Sequence, residues 1–381
     1  MNFKVLFFTK LVRHFLLARV NRQDHVPSCD QMPTPEDNPG ILIIILTKLG
    51  DTLFCLPAIR EIKRSFPGSR ISVVVTRKYA ALVEGMEEVD EILTFKDIPS
   101  HIPLMMAMKD RTFDISIEIM GTEPEAPIIA YYSGAPFRVG PTGKTFSFLF
   151  NCPYPYPRGL YPHHHIDDKL KKISFIGATI QDKSINLDHL ARSAVSDPRL
   201  EKRLSKAGVN LEKEYLVVHP GTDEVRRCYP PHLFRQVIQQ LMDRHQMDVV
   251  VTGIKRERKL MAKVIEGLPK PPIRVYNSDV LTLARLLLGA RLVISNDTGP
   301  LHLAAGLGTN TLSLFGPINP LRAAPRLPYF PKGRHKYLRH PYMDGISCED
   351  KSCVHPVCLE SIPVEEVIDA ATDLLVGDKT E

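Results

Sequence analysis

Residues 41–76, ILIIILTKLGDTLFCLPAIREIKRSFPGSRISVVVT, decide the fold. Ile41 to Leu46 is apolar without interruption and rich in β-branched residues, which is the composition of a strand covered on both faces in a parallel sheet. The spacing from about Leu53 to Ser65 predicts a helix, stopped by Pro67-Gly68. A second apolar run, Ile71 to Thr76, follows it. Strand, helix and strand in that order make a βαβ unit.

Working outward, the alternation continues with a helix around Tyr79–Gly85 and strands at Glu91–Phe95 and Phe113–Ile119. The stretch from about 150 to 212 is irregular, holding NCPYPYP, the helix-like DDKLKKISFIGA and a charged helix-like segment near 196–206. The pattern then restarts. Strands are expected at Tyr215–His219, Asp248–Thr252, Ile273–Tyr276, Leu292–Ser295 and Thr311–Phe315. Helices are expected at Pro231–His245, Lys255–Glu266, Val280–Leu288, Leu301–Leu307 and about Val364–Leu375. The reading is therefore an α/β protein of two Rossmann-like domains, 41–195 and 196–381, facing each other across a cleft at the C-terminal ends of their strands. Residues 1–40 stand apart as a basic extension and a Pro-rich linker.

The chain has 381 residues and a net charge of +6. That balance suits anionic partners, and no Lys/Arg block with interleaved aromatics argues for nucleic acid. No run approaches the ~20 apolar residues of a membrane helix. Residues 1–22 carry Lys4, Lys10, Arg13, Arg19 and Arg22 and no acid, while Phe3, Leu6, Phe7, Leu11, Phe15 and Leu16 could share one helical face. This pattern fits an interfacial helix on an anionic membrane or an extra helix packed on the first domain. The seven cysteines, Cys29, Cys55, Cys152, Cys228, Cys348, Cys353 and Cys358, are odd in number and scattered, so reduced thiols and a cytosolic address are expected.

Three strand ends carry chemistry. At the first, Lys48, Gly50 and Asp51 follow the buried run; glycine permits a tight turn, and Asp51 is either a proton acceptor at the sheet mouth or a helix N-cap. At the second, His219-Pro220-Gly221-Thr222 precedes Arg226 and Arg227, a hydroxyl and cations suited to a diphosphate. At the third, Asp297, Thr298, Gly299 and His302 lie where a strand turns into a small-residue helix, whose N-terminus favours an anion. Cys348, Cys353 and Cys358, with His355 among them, could ligate a metal, but their spacing is not that of paired CxxC ligands and free thiols fit better.

The segments ILTKLGDTLFCLPAIREIKRSFP, VVHPGTDEVRRCYPPHLF and LVISNDTGPLHLAAGLGTNTLSLFGP, in this order, resemble glycosyltransferase family 9, the ADP-heptose:lipopolysaccharide heptosyltransferases. The resemblance implies a GT-B fold and inverting sugar transfer without metal or cofactor. It implies Asp51 as general base and Gly50 and Lys48 on the acceptor side. Thr222, Arg227, Asp297, Thr298, Gly299 and His302 would be on the donor side. It implies an ADP-heptose donor, a lipid-linked saccharide acceptor and a place on the cytoplasmic face of the inner membrane. The sequence departs from the family after Phe113–Ile119, where Met120-Gly121-Thr122-Glu123 replaces Gln-Gly and a basic residue. A related enzyme using a UDP-sugar, or a catalytically idle nucleotide-binding assembly protein, is the alternative.

Overall fold

The computed structural model describes residues 27–95, 106, 108, 110–120, 123–143, 146–154, 163–276, 278–343, 348, 352, 353 and 357–377. The amphipathic stretch 1–22 and His355 lie outside them. Two compact units are formed. One takes the described residues within 1–48, 55–159 and 168–182; the other takes those within 49–54, 160–167 and 183–381.

The first unit is built on a six-stranded sheet in the order β3-β2-β1-β4-β5-β6, with β1 Ile41–Ile45, β2 Ile71–Thr76, β3 Glu91–Phe95, β4 Ile115–Glu118, β5 Phe137–Pro141 and β6 Cys152–Tyr154. Every pairing is parallel. The apolar run lies in the middle as expected: Ile43 pairs with Val73 on one side and Ile117 on the other, and Ile41 to Ile45 are wholly buried.

The second unit repeats the plan. Its order is β12-β11-β10-β7-β8-β9, with β7 Tyr215–His219, β8 Asp248–Gly253, β9 Ile273–Tyr276, β10 Leu292–Asn296, β11 Thr311–Phe315 and β12 His335–Arg339. Again all pairings are parallel, with Val217 between Val250 and Val293. Read from the first strand of each unit, both sheets have the order 3-2-1-4-5-6, in which connections leave in opposite directions beside the first strand and open a crevice there.

Several expectations need correction. The helix expected from Leu53 begins at Leu49, so Gly50 and Asp51 lie inside its first turn. Lys48 is its N-cap, without a side-chain bond, and Asp51, in the first turn, lies past the capping position. Gly50 is helical rather than at a tight turn. The helix around Tyr79–Gly85 is a 3₁₀ segment, Arg77–Leu82. The cysteines are not all thiols: Cys29 and Cys152 form a disulfide, with Cα atoms 5.5 Å apart. Among the described residues no helix is long and apolar enough to cross a membrane.

Candidate functional site

In the second unit β7 and β10 are neighbours, and the loops leaving their C-terminal ends are locked together by Asn296. Its side chain is fully buried. Nδ2 donates to the Pro220 carbonyl at 2.8 Å, and Oδ1 accepts from the Tyr229 amide at 2.9 Å. A buried amide satisfied by the backbone of another loop fixes that loop, because breaking either bond strands a polar group.

The next residue, Asp297, is buried and holds two cationic or polar side chains. Arg227 donates through Nη2 to both the carboxylate and the backbone carbonyl of Asp297, the latter at 2.7 Å. His302 Nε2 stands 3.3 Å from the other carboxylate oxygen. Burial alone would raise the Asp297 carboxyl, but the charge of Arg227 and the hydrogen bond and charge of His302 outweigh it and hold it far below the usual range. Thr298 is the N-cap of the Gly299–Gly306 helix, and its side chain makes no capping bond. Its hydroxyl lies 3.2 Å from that of Ser295 instead. The amide end of this helix is therefore not closed by a side chain.

Two glycines bring the first turn of the Leu49–Ser65 helix against this helix start. A Cβ on Gly299 would stand 2.9 Å from the Leu49 Cβ and 3.1 Å from the Gly50 amide. A Cβ on Gly50 would stand 3.2 Å from His302 Cδ2 and 3.4 Å from the Gly299 Cα. Close approach, not a left-handed backbone, is the reason for glycine at both. Asp51 sits beside Gly50, half-buried, and its carboxylate makes no hydrogen bond or ion pair among the described residues. Gly50, Arg227, Asp297, Thr298, Gly299 and His302, each singled out in the sequence, thus converge, and Asp51 is the residue that follows Gly50.

Thr222 is held differently. Its hydroxyl donates to the Glu224 carbonyl and accepts from the Glu224 amide at 3.0 Å, so it shapes its own loop. Lys48 is exposed and belongs to the first unit. Cys348, Cys353 and Cys358 are half-buried thiols; burial and its two companions push Cys358 up.

Sequence reading missed the aromatic packing behind the site. The Phe54 ring lies 4.7 Å from that of His302, 5.5 Å from His164 and 5.8 Å from His165, while His164 stacks on Tyr329 at 4.0 Å. Burial lowers His164 to about 3 and His219 to about 4, so both are neutral near pH 7. The signal for the first was the run His163-His164-His165, which carries no periodicity. Glu257 was also missed. It is buried, and a Cβ on Gly221 or on Gly253 would fall within 3 Å of its carboxyl group.

Against known proteins, the family model described as Glycosyltransferase family 9 (heptosyltransferase) matches residues 104–337. Lipopolysaccharide heptosyltransferase 1 of Pseudomonas aeruginosa is 24% identical over 74% of this chain and 79% of its own length. A solved structure described as Escherichia coli ADP-heptose lps heptosyltransferase II superposes with a TM-score of 0.72 at 16% identity, covering 90% of this chain and 100% of that one. A glycosyl transferase family 9 structure from Veillonella parvula gives 0.70 at 21% identity, covering 89% and 97%. These likenesses establish the GT-B class of two Rossmann-like units.

Proposed function

Because the chain belongs to glycosyltransferase family 9 and is a glycosyltransferase, we propose that it moves a heptose or related sugar from an ADP-sugar to a lipopolysaccharide or lipooligosaccharide core acceptor. The observation that carries this reading is the linked set Arg227–Asp297–His302 at a helix start, with Asp51 on the turn packed against it.

In this reading Asp51 takes the proton of the acceptor hydroxyl as that oxygen attacks the anomeric carbon from the face opposite the nucleotide. The configuration inverts, and a nucleoside diphosphate leaves. The half-buried carboxylate beside Gly50 has no internal partner to compete for that proton. Charge developing on the diphosphate is met by Arg227, already held in place by Asp297, and by the amides at Thr298 and Gly299. Groups fixed before reaction stabilise charge without reorganising, and here the protein itself supplies them in place of a divalent cation. Thr222 orders the loop that passes the diphosphate, and His302 borders the sugar end. Glu257, near the end of the second strand of its sheet, occupies the place from which an acid reaches a ribose hydroxyl in dinucleotide-binding folds. Gly50 and Lys48 face the acceptor side. The basic stretch 1–22 holds the enzyme on the cytoplasmic face of an anionic membrane, where a lipid-linked acceptor resides.

The test is thermal stability with ADP, UDP and GDP, followed by nucleotide release from the matching sugar-nucleotides with and without deacylated lipooligosaccharide. A nucleotide at a hundred times its Kd stabilises the fold by about 2.7 kcal/mol. ADP should give the largest shift, and acceptor should accelerate ADP release. A larger shift with UDP, or release that ignores the acceptor, defeats the proposal.

A further inference from the structure

The Leu49–Ser65 helix starts without a capping bond from the side chain of its N-cap, Lys48. Asp51 lies in the first turn, and its carboxylate makes no hydrogen bond or ion pair among the described residues. Where that carboxylate stands therefore follows from how the backbone of the turn is held.

The turn is packed on His302. A Cβ on Gly50 would stand 3.2 Å from His302 Cδ2, and the Phe54 ring lies 4.7 Å from the His302 ring. Residues four apart on a helix share a face, so Gly50 and Phe54 are neighbours there. The imidazole thus lies across one turn, with glycine at one end and phenylalanine at the other, and Asp51 falls between them in the chain. His302 is itself buried, with Nε2 3.3 Å from the Asp297 carboxylate. Phe54 is 3% exposed. His164 and His165 lie against the same ring, at 5.5 and 5.8 Å, and His164 stacks in turn on Tyr329. A ring packed among rings keeps one rotamer, and a smaller side chain at this place would remove one of the two ends of the seat for His302.

We propose that Phe54 is a positioning residue for Asp51: it seats His302 across the first turn and so fixes the carboxylate relative to the Arg227–Asp297–His302 set. It acts through Asp51 rather than on substrate, and the inference rests on the reading of Asp51 as general base. A displacement of about 1 Å at a reacting group can cost about 10²-fold in rate. The ring therefore governs the chemical step and leaves nucleotide affinity alone. A ring that served only packing would change stability and not the rate of the folded enzyme.

The test is a double-mutant cycle on the full chain. Phe54→Leu keeps an apolar side chain and removes the ring; it is made in wild type and in Asp51→Asn. Single-turnover transfer from ADP-heptose to deacylated lipooligosaccharide, ADP affinity by calorimetry and the thermal midpoint are read for each protein. Phe54→Leu alone should slow transfer about 10- to 100-fold, with ADP affinity within about twofold of wild type. In the Asp51→Asn background it should slow transfer by less than about twofold, because the group it misplaces is already gone. Phe54→Met, whose thioether also packs on aromatic rings, should retain more of the rate than Phe54→Leu and replaces it in the cycle if that variant does not fold. Equal slowing in both backgrounds, a normal rate in folded Phe54→Leu, or a loss of ADP affinity as large as the loss of rate overturns the proposal. No transfer by the wild type, or a normal rate for Asp51→Asn, defeats the general-base reading itself, and this inference falls with it.

Discussion

The two units share one strand order but compensate buried charge by different means. At the crevice of the second unit a buried carboxylate is matched before a ligand arrives: Asp297 takes Arg227 on one oxygen and His302 on the other, and Asn296 ties the loops beneath them. In the first unit the buried Lys172 is satisfied by neutral carbonyls of the bend after β4. The same topology thus settles buried charge by ion pairing in one place and by backbone carbonyls in the other. A site whose polar groups are already paired binds with little reorganisation.

The strongest way to break the comparison is at Asp51. Asp51→Asn keeps shape and removes the base. Turnover should fall about 10²–10⁴-fold with nucleotide affinity unchanged, read from steady-state rates beside ADP calorimetry; near-normal turnover in a folded variant would remove the assigned role. Next is the paired cradle. Arg227→Ala strands Asp297 and removes charge from the leaving group, so turnover should drop about 10²–10³-fold. In this case ADP affinity falls as well, and Arg227→Lys should recover part of both. Gly299→Ala probes packing rather than charge. A Cβ meeting Leu49 at 2.9 Å should cost about 1–3 kcal/mol in denaturant unfolding, and an unchanged midpoint would show that the two helix starts can part freely.

The last test concerns pH. His164 is buried and neutral, with its value lowered to about 3. Above pH ~6.5 neither the folded nor the unfolded chain protonates it, and it costs nothing. As pH falls from there toward about 3, the unfolded chain takes up the proton first. Stability therefore declines by roughly 1.4 kcal/mol per pH unit from this residue. His219 adds a similar decline down to about 4. Unfolding free energies at several pH values should show a shallower acid slope for His164→Phe than for wild type.

Legibility in the sequence followed burial pattern. The strands that are continuous apolar runs, such as β1, β2, β7 and β10, could be placed within a residue or so, since a strand covered on both faces has no other composition. Strand β5, FRVGP, was missed because its Arg138 reads as a surface residue. It is buried only because the carbonyls of Leu149 and Ala135 accept from its guanidinium. Strand β12, HKYLR, is polar because it is a half-exposed edge, and the Glu125–Tyr132 helix lies in a segment too short for a clear period. Of the site, the residues at strand ends were visible because topology sends ligands there. Phe54, His164 and Glu257 were not, since what marks them is the company they keep in space.

The disulfide has a consequence for how the protein behaves in company. β6 is the outer strand of its sheet, three residues long with Pro153 at its centre, and Cys29 is bonded to its first residue. An unpaired strand edge invites a neighbouring molecule to add its own strand, and shortness, proline and a covering segment are the usual deterrents. The cross-link staples the stretch before β1 to that rim, so this polypeptide stretch doubles as a guard against self-association.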